Sequence, residues 1–297
     1  MNDTIIGIIG LGLMGESIAD ACVAAGYRVV LREERAERIE AFQAKHRATA
    51  DRISIAEDAR ELSSCSIVIE AIVEELGAKL ALLRELDRVA PDAVIASNSS
   101  TIMPSELAPS LQDPSRLLVL HFFNPANLVP LVEVVPGPQT DPAHTETVRR
   151  FAVAIGKTPV VLRREIEGFI ANRIQAAALR ECYSLVETGV ASPQTVDTVV
   201  RLSLAPRWAA CGPIATADLG GLDIFAALTA RLFPRLDAGT ETPRIIQEHV
   251  GRGELGGKTG AGIYQWPPER RDAVKRDIAD LFAFATELAE AHGEAER

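Results

Sequence analysis

The sequence predicts an α/β protein, a doubly wound parallel sheet followed by an all-α domain. Three observations carry that prediction. Short apolar runs alternate with longer helical patterns through the first half, a glycine-rich loop follows the first run, and from Gly168 onward the periodicity is helical alone. The strand-like runs are Ile5–Ile9, Arg28–Leu31, Cys65–Ile69, Ala93–Ala96, Leu117–His121, Leu131–Val135 and Pro159–Leu162, with a helix expected over Asp141–Ile155.

In the second part, Phe169, Ile170, Ile174, Ala177 and Ala178 recur at helical spacing, and Gly189 suits a C-cap. Ser192-Pro193 reads as a helix cap with a first-turn proline. Gly212-Pro213 and Gly220-Gly221 interrupt the helices, and Pro267-Pro268 sets off a terminal amphipathic helix. The expected organisation is a sheet domain over residues 1–165 and a helical domain over residues 166–297.

Composition narrows the class. An apolar fraction of 47% with 24% charged residues is that of a packed globular protein. With a net charge of −10 and its 31 basic residues scattered among acids, the chain has no stripe for phosphates, so nucleic acid is not an expected partner. Cys22, Cys65, Cys182 and Cys211 are far apart, form no C-x-x-C pair and sit in apolar settings, which suits small buried hydrophobes in a reducing compartment. No basic region precedes the first apolar run, and no stretch of about 18 uncharged apolar residues occurs. A cytoplasmic protein without membrane contact is the expectation.

The loop Gly10-Leu11-Gly12-Leu13-Met14-Gly15 follows the first strand and opens a helix. In that context the first glycine permits a tight turn, the second lets a pyrophosphate approach, and the third lets helix pack on strand, with the anion at the helix N-terminus. The sheet is therefore read as Rossmann-like. Glu33 ends the second strand, where a carboxylate accepts both ribose hydroxyls of NAD and repels the 2′-phosphate of NADP. NAD is the expected cofactor; Arg32 and Arg35 beside Glu33 offer the alternative of a phosphate cradle.

His121 and Glu133 fall on two nearby strands, and Ser97-Asn98-Ser99-Ser100 falls at the C-terminal end of another, the end where such sheets bind ligands. A hydroxyl losing hydride must also lose a proton, and imidazole is the side chain best matched to that transfer near neutrality. A lone histidine is more often a satisfied core or surface residue; the company of Glu133 and the serine loop shifts the reading to catalysis.

Together the glycine loop, Glu70-Ala71-Ile72-Val73-Glu74, Ser97–Ser100, His121–Pro125, Glu167–Arg173, Gly212-Pro213, Asp218–Asp223 and Lys258-Thr259-Gly260 resemble the L-3-hydroxyacyl-CoA dehydrogenase family over about residues 4 to 266. The resemblance implies that His121 is the general base, that Glu133 orients it, and that Ser100 and Asn172 bind substrate and hold the catalytic geometry. It further implies that Glu74, Lys79, Ser100, Asn124 and Lys258 line the cofactor along with Gly10, Gly12, Leu13, Met14, Gly15 and Glu33. By the same resemblance the reaction moves hydride between NAD and the C3 hydroxyl of a 3-hydroxyacyl thioester, in fatty acid metabolism, and the helical domain forms a homodimer. No metal is implied.

Only 37 positions (70 minus 33) separate Glu33 from Glu70, where the family's acyl-CoA enzymes carry a longer helical excursion that meets CoA. Basic residues that would meet CoA phosphates have few candidates there beyond Lys45, Arg47 and Arg52. Ser99 stands where the family usually has Thr, and Asn127–Glu133 with Arg207-Trp208-Ala209 resembles the L-gulonate dehydrogenase and lambda-crystallin branch. A free polar 3-hydroxy acid such as L-gulonate or carnitine is thus the alternative substrate. A protein that holds NAD without turnover is the alternative of another class, and the joint presence of Ser100, His121, Glu133 and Asn172 argues against it.

Overall fold

The computed structural model describes residues 4–291. One sheet of eight strands runs in the order β3-β2-β1-β4-β5-β6-β7-β8. Its strands are β1 (Ile5–Ile9), β2 (Arg28–Arg32), β3 (Ile53–Ile55), β4 (Ile67–Glu70), β5 (Val94–Ser97), β6 (Leu117–Phe122), β7 (Leu131–Pro136) and β8 (Thr158–Val161). Helices α1 (Leu13–Ala24), α2 (Ala36–Lys45), α3 (Leu76–Val89), α4 (Pro104–Leu107) and α5 (Pro142–Ala154) connect them.

The strands are continuously apolar because both sheet faces are covered. Alternate residues serve opposite layers: Ile6, Ile8, Ile67 and Ile69 cluster with Ile18 and Cys22 of α1 and Phe151 of α5. Val68, Ile95, Val119 and Val135 cluster with Leu83 and Leu86 of α3.

The expected doubly wound parallel sheet is present, with one antiparallel pairing. β6 and β7 pair antiparallel, with His121 opposite Glu133, while the other neighbours are parallel. Only residues 123–130 join β6 to β7, and a parallel return needs a crossover of a dozen or more residues. The three-residue strand β3 was absent from the sequence reading, since Ile53-Ser54-Ile55 is too short to carry a period.

The chain divides into two compact units, one through Ile170 and one from Ala171. Residues 167–170 go with the sheet because Phe169 is fully buried in its core and the Ile170 N–H donates to Glu133 Oε1 at 2.9 Å.

The second unit is helical: α6 (Ala171–Glu187), α7 (Pro193–Val199), α8 (Ala205–Gly220), α9 (Leu222–Leu232), α10 (Arg244–Gly251) and α11 (Pro268–Ala291). Gly189 takes φ +75°, and Ser192 Oγ caps α7 by accepting the Thr195 N–H at 3.2 Å. Gly212, at φ +78°, kinks α8, and Gly221, at φ +99°, ends it. Within this unit the Asp237 N–H donates to Glu181 Oε2 at 2.9 Å and Tyr264 Oη to Asp197 Oδ2 at 2.6 Å, tying loops to α6 and α7.

All four cysteines are free. Cys22 and Cys65 are buried, and burial pushes the Cys65 thiol up to about 11. Cys211 is exposed, against the expectation of an apolar setting; it lies beside the Gly212 kink and contacts Thr216 Oγ1 at 3.4 Å. Among the described residues no single helix is long and apolar enough to cross a membrane.

Candidate active site

Strand β1 is paired on both sides, to β2 and β4, so the loop leaving it sits at the centre of the sheet's C-terminal edge. Gly10 turns the chain at φ +91°, and a Cβ there would lie 2.8 Å from the Ala71 carbonyl oxygen. A Cβ on Gly15 would fall 1.7 Å from the Gly10 carbonyl oxygen, so helix and strand pack this closely only with glycine at both positions. Gly12 differs: a Cβ there meets nothing nearer than Arg38 Nη1 at 3.6 Å, and no side chain caps α1. That open, uncapped helix start fits a dinucleotide pyrophosphate.

Glu33 follows β2 and takes hydrogen bonds from three backbone N–H groups, Leu11 at 2.8 Å, Glu34 at 3.0 Å and Arg35 at 3.1 Å. Burial pushes its carboxyl up, but those bonds and the Arg38 charge outweigh it and hold Glu33 below the usual carboxylate range. Arg32 points elsewhere, donating to Glu85 Oε2 at 2.9 Å.

The next constellation is buried. His121 Nδ1 lies 2.9 Å from Glu133 Oε2 across the antiparallel pair, and both side chains are buried. As an acceptor, the Glu133 carboxylate favours the tautomer whose proton sits on Nδ1 and donates to it, leaving Nε2 with its lone pair. Rings of Phe123 and Phe169 flank the imidazole, with centroids 4.6 and 5.4 Å away. The sequence pattern places Phe169 and Ile170 on the first helix of the second domain; here they precede α6 and pack on the sheet unit instead. Phe169 takes φ +49°, a left-handed conformation unusual for a bulky residue, directly after Gly168 at φ +73°. The sequence signal was Gly168 itself, placed where no helix had yet begun.

The serine loop after β5 is held by Glu74. Its Oε1 accepts Ser99 Oγ at 2.6 Å, the Ser100 N–H at 2.8 Å, the Thr101 N–H at 2.9 Å and Thr101 Oγ1 at 3.1 Å. Burial raises the Glu74 carboxyl, yet Ser99, Lys79 and the two backbone donors bring it below its ordinary value.

Lys79, expected to face the cofactor, is buried, with its ammonium 2.5 Å from Glu70 Oε1 and 3.4 Å from Glu74 Oε2. In this structure it is a counter-ion to two carboxylates, because an ammonium out of water needs charged partners. Asn98 of the serine loop accepts the Phe122 N–H at 3.0 Å and ties β5 to the end of β6.

Asn124 is exposed on the β6–β7 connection, ahead of a cis peptide bond to Pro125. Lys157, buried at the start of β8, donates to the Ala126 and Val129 carbonyls of that connection, and burial pushes its amine down. The sheet unit thus gathers Gly10–Gly15, Glu33, Glu74, Ser100, His121, Asn124 and Glu133 along one sheet edge. Asn172 opens α6 of the second unit, and Lys258 lies in that unit's exposed turn at Gly256–Ala261.

The 3-hydroxyacyl-CoA dehydrogenase NAD-binding domain model matches residues 5–53 and 32–166, and the C-terminal domain model of the same family matches residues 168–266. The chain belongs to this family. It is an NAD-dependent oxidoreductase of the 3-hydroxyacyl-CoA dehydrogenase type.

Among its relatives, a 5-formyl-3-hydroxy-2-methylpyridine 4-carboxylate 5-dehydrogenase of Mesorhizobium japonicum is 30% identical over 92% of this chain and 94% of the relative. A 3-hydroxybutyryl-CoA dehydrogenase of Mycobacterium tuberculosis is 33% identical over 90% of this chain and 100% of the relative. The crystal structure of a 5-formyl-3-hydroxy-2-methylpyridine 4-carboxylic acid 5-dehydrogenase, an NAD+-dependent dismutase, overlays with a TM-score of 0.88 at 29% identity, covering 96% of this chain and 98% of the other. A 3-hydroxyacyl-CoA dehydrogenase from Archaeoglobus fulgidus overlays at 0.72 with 32% identity, covering 95% and 98%.

Proposed function

We propose that this enzyme oxidises the secondary alcohol of a compact hydroxy acid, and runs the reverse reduction, with His121 taking and returning the hydroxyl proton. The buried His121–Glu133 pair on adjoining strands at the ligand edge carries this reading. NAD, when bound, accepts the hydride from the carbinol carbon. His121 Nε2 takes the hydroxyl proton as that bond weakens, while Glu133 fixes the tautomer and stabilises the imidazolium that forms. Glu133 is fixed in turn by the Ile170 N–H. Ser100 and Asn172 are the residues assigned to hold the substrate oxygen. Glu74, Asn124, Lys79 and Lys258 are assigned to the cofactor side, Lys79 through the carboxylates it pairs rather than by direct contact.

The substrate class rests on the segment between Glu33 and Glu70. It folds as α2, short turns and β3, and Lys45 within it donates to Glu16 at 3.0 Å and to Asp20 at 2.6 Å, away from any CoA phosphate role. The higher overlay with the pyridine-carboxylate enzyme supports the free-acid part of this reading, its named substrate carrying a formyl group rather than a secondary alcohol. The second reading, a 3-hydroxyacyl thioester on CoA, is supported by the 3-hydroxybutyryl-CoA relatives.

An NADH-fluorescence panel of acetoacetyl-CoA, L-gulonate, carnitine and 5-formyl-3-hydroxy-2-methylpyridine 4-carboxylate separates the two. Turnover confined to the free acids supports the compact-acid reading. Efficient turnover of acetoacetyl-CoA alone overturns it in favour of the thioester.

A further inference from the structure

Strand β6 outruns its neighbour on the side of the serine loop. β5 pairs with it from Ile95↔Leu117 to Ser97↔Val119, so Leu120, His121 and Phe122 lie beyond the last pair, while β7 follows β6 as far as Phe122↔Val132. The chain leaving β5 has turned away by then: the Asn98 N–H donates to the Glu70 carbonyl of β4 at 2.9 Å, and the Ser99 N–H returns to Ser97 Oγ at 3.2 Å. A backbone N–H inside a protein costs stability unless it is partnered. Phe122 is buried, and Asn98 Oδ1 supplies the acceptor that the β5 backbone no longer offers its N–H. Only the oxygen of a carboxamide can face a donor, so this bond also fixes which way the Asn98 side chain is turned. Phe122 directly follows His121 and precedes Phe123, whose ring flanks the imidazole.

We propose that Asn98 is a positioning residue for the proton transfer. Its side chain continues the β5–β6 ladder where the β5 backbone leaves it, and so sets the spacing between the loop that carries Ser100 and the strand end that carries His121. The inference rests on the reading of His121 as the base and adds the device that fixes its distance from the substrate oxygen. A side-chain acceptor is needed here. The N–H groups of residues 98–101 are committed to Glu70, Ser97 and Glu74, which holds that backbone in a turn rather than alongside β6. Proton transfer to a positioned base demands hydrogen-bond reach, so a small shift of the strand end against the loop slows the chemical step without touching the distant parts of the cofactor.

The test compares wild type, N98L, N98D and H121Q as whole chains. N98L keeps the branched shape of asparagine without an acceptor, and N98D keeps the acceptor. Hydrogen exchange reads the bond itself: the Phe122 amide should be protected in wild type and N98D and should exchange at least about tenfold faster in N98L. Turnover is followed with the best substrate of the fluorescence panel, each variant at its own pH optimum, and NADH dissociation constants are measured by ligand fluorescence. N98L should lower kcat by about tenfold while NADH binding stays within about threefold, and N98D should hold kcat within about threefold of wild type. Wild-type kcat in N98L overturns the proposal. So does a fall in N98D as deep as in N98L, which would assign the effect to the amide NH2 rather than to the acceptor. H121Q separates this proposal from the reading beneath it: high turnover in H121Q overturns both, whereas low turnover there with an unaffected N98L overturns only the role of Asn98. Should N98L fail to fold, N98A takes its place with the same expectations, and an unprotected Phe122 amide in wild type overturns the proposal without any variant.

Discussion

In the proposed reaction His121 acts as a base only while its Nδ1–H donates to Glu133 and its ring is kept from turning. Three residues do this: Glu133 itself, Phe169 and Phe123. His121→Gln should therefore keep NADH binding within a few-fold and lower kcat by roughly 10² to 10⁴, the range for losing a general base. Retention of a tenth or more of wild-type turnover at saturating substrate would remove His121 from that role. Phe169→Ala should destabilise the sheet unit by about 3 to 5 kcal/mol, the usual cost of truncating a buried phenylalanine, read by urea unfolding. Relief of its left-handed backbone offsets little of that loss, since alanine at φ +49° is strained too. His121 and Glu133 were legible in the sequence as residue types at strand positions. The part played by Phe169 was not, because its ring reaches His121 across 48 positions (169 minus 121) of chain.

At the scale of elements, the loop from Ser97 to Thr101 depends on a carboxylate 25 positions earlier than Ser99. Glu74→Gln keeps one oxygen but loses charge-assisted bonds to four donors. We expect it to lower stability by about 1 kcal/mol at pH 7, the figure being discounted because Glu74 is over a third exposed. The pH dependence has a definite sign. Folding lowers the Glu74 carboxyl below its ordinary value, so its contribution is present above the unfolded pKa of about 4.3 and is lost as pH falls through the lower folded value. The difference between wild type and E74Q should shrink as pH falls from about 5 towards 3, measured by thermal melts; a constant difference would mean that the charge contributes nothing. Most strands could be read from the sequence as apolar runs. The antiparallel direction of β7 was equally present in the shortness of residues 123–130, too few for a parallel return.

At the scale of the molecule, recognition should concentrate on the reacting end of the substrate, because the segment that would meet a CoA tail is short and Lys45 is already paired. If thioesters react at all, acetoacetyl-pantetheine should match acetoacetyl-CoA in kcat/KM within about tenfold, or roughly 1.4 kcal/mol. A CoA preference of about a thousandfold would instead identify a phosphate-binding surface elsewhere on the chain. The helical unit leaves Leu202, Ile214 and Leu219 at 78%, 85% and 87% exposure, apolar surface that a second copy of the chain would cover in the homodimer reading. Light scattering should give the mass of two chains, and a monomer at micromolar concentration would contradict the homodimer reading. By itself the sequence determined the alternation of strands and helices, the glycine loop with its acid, the switch to helices after Gly168 and the residue types of the proton path. These are local patterns, set by periodicity and by backbone conformations that only glycine adopts readily. Only the tertiary structure decided the register of β7 on β6, which sets Glu133 opposite His121. It also decided that Lys79 is buried as a counter-ion, that Arg38 and not Arg32 pairs with Glu33, and that Phe169 and Ile170 hold the His121–Glu133 pair. Each of these is a contact between residues distant in the chain, and such contacts follow from how the layers pack rather than from any one segment.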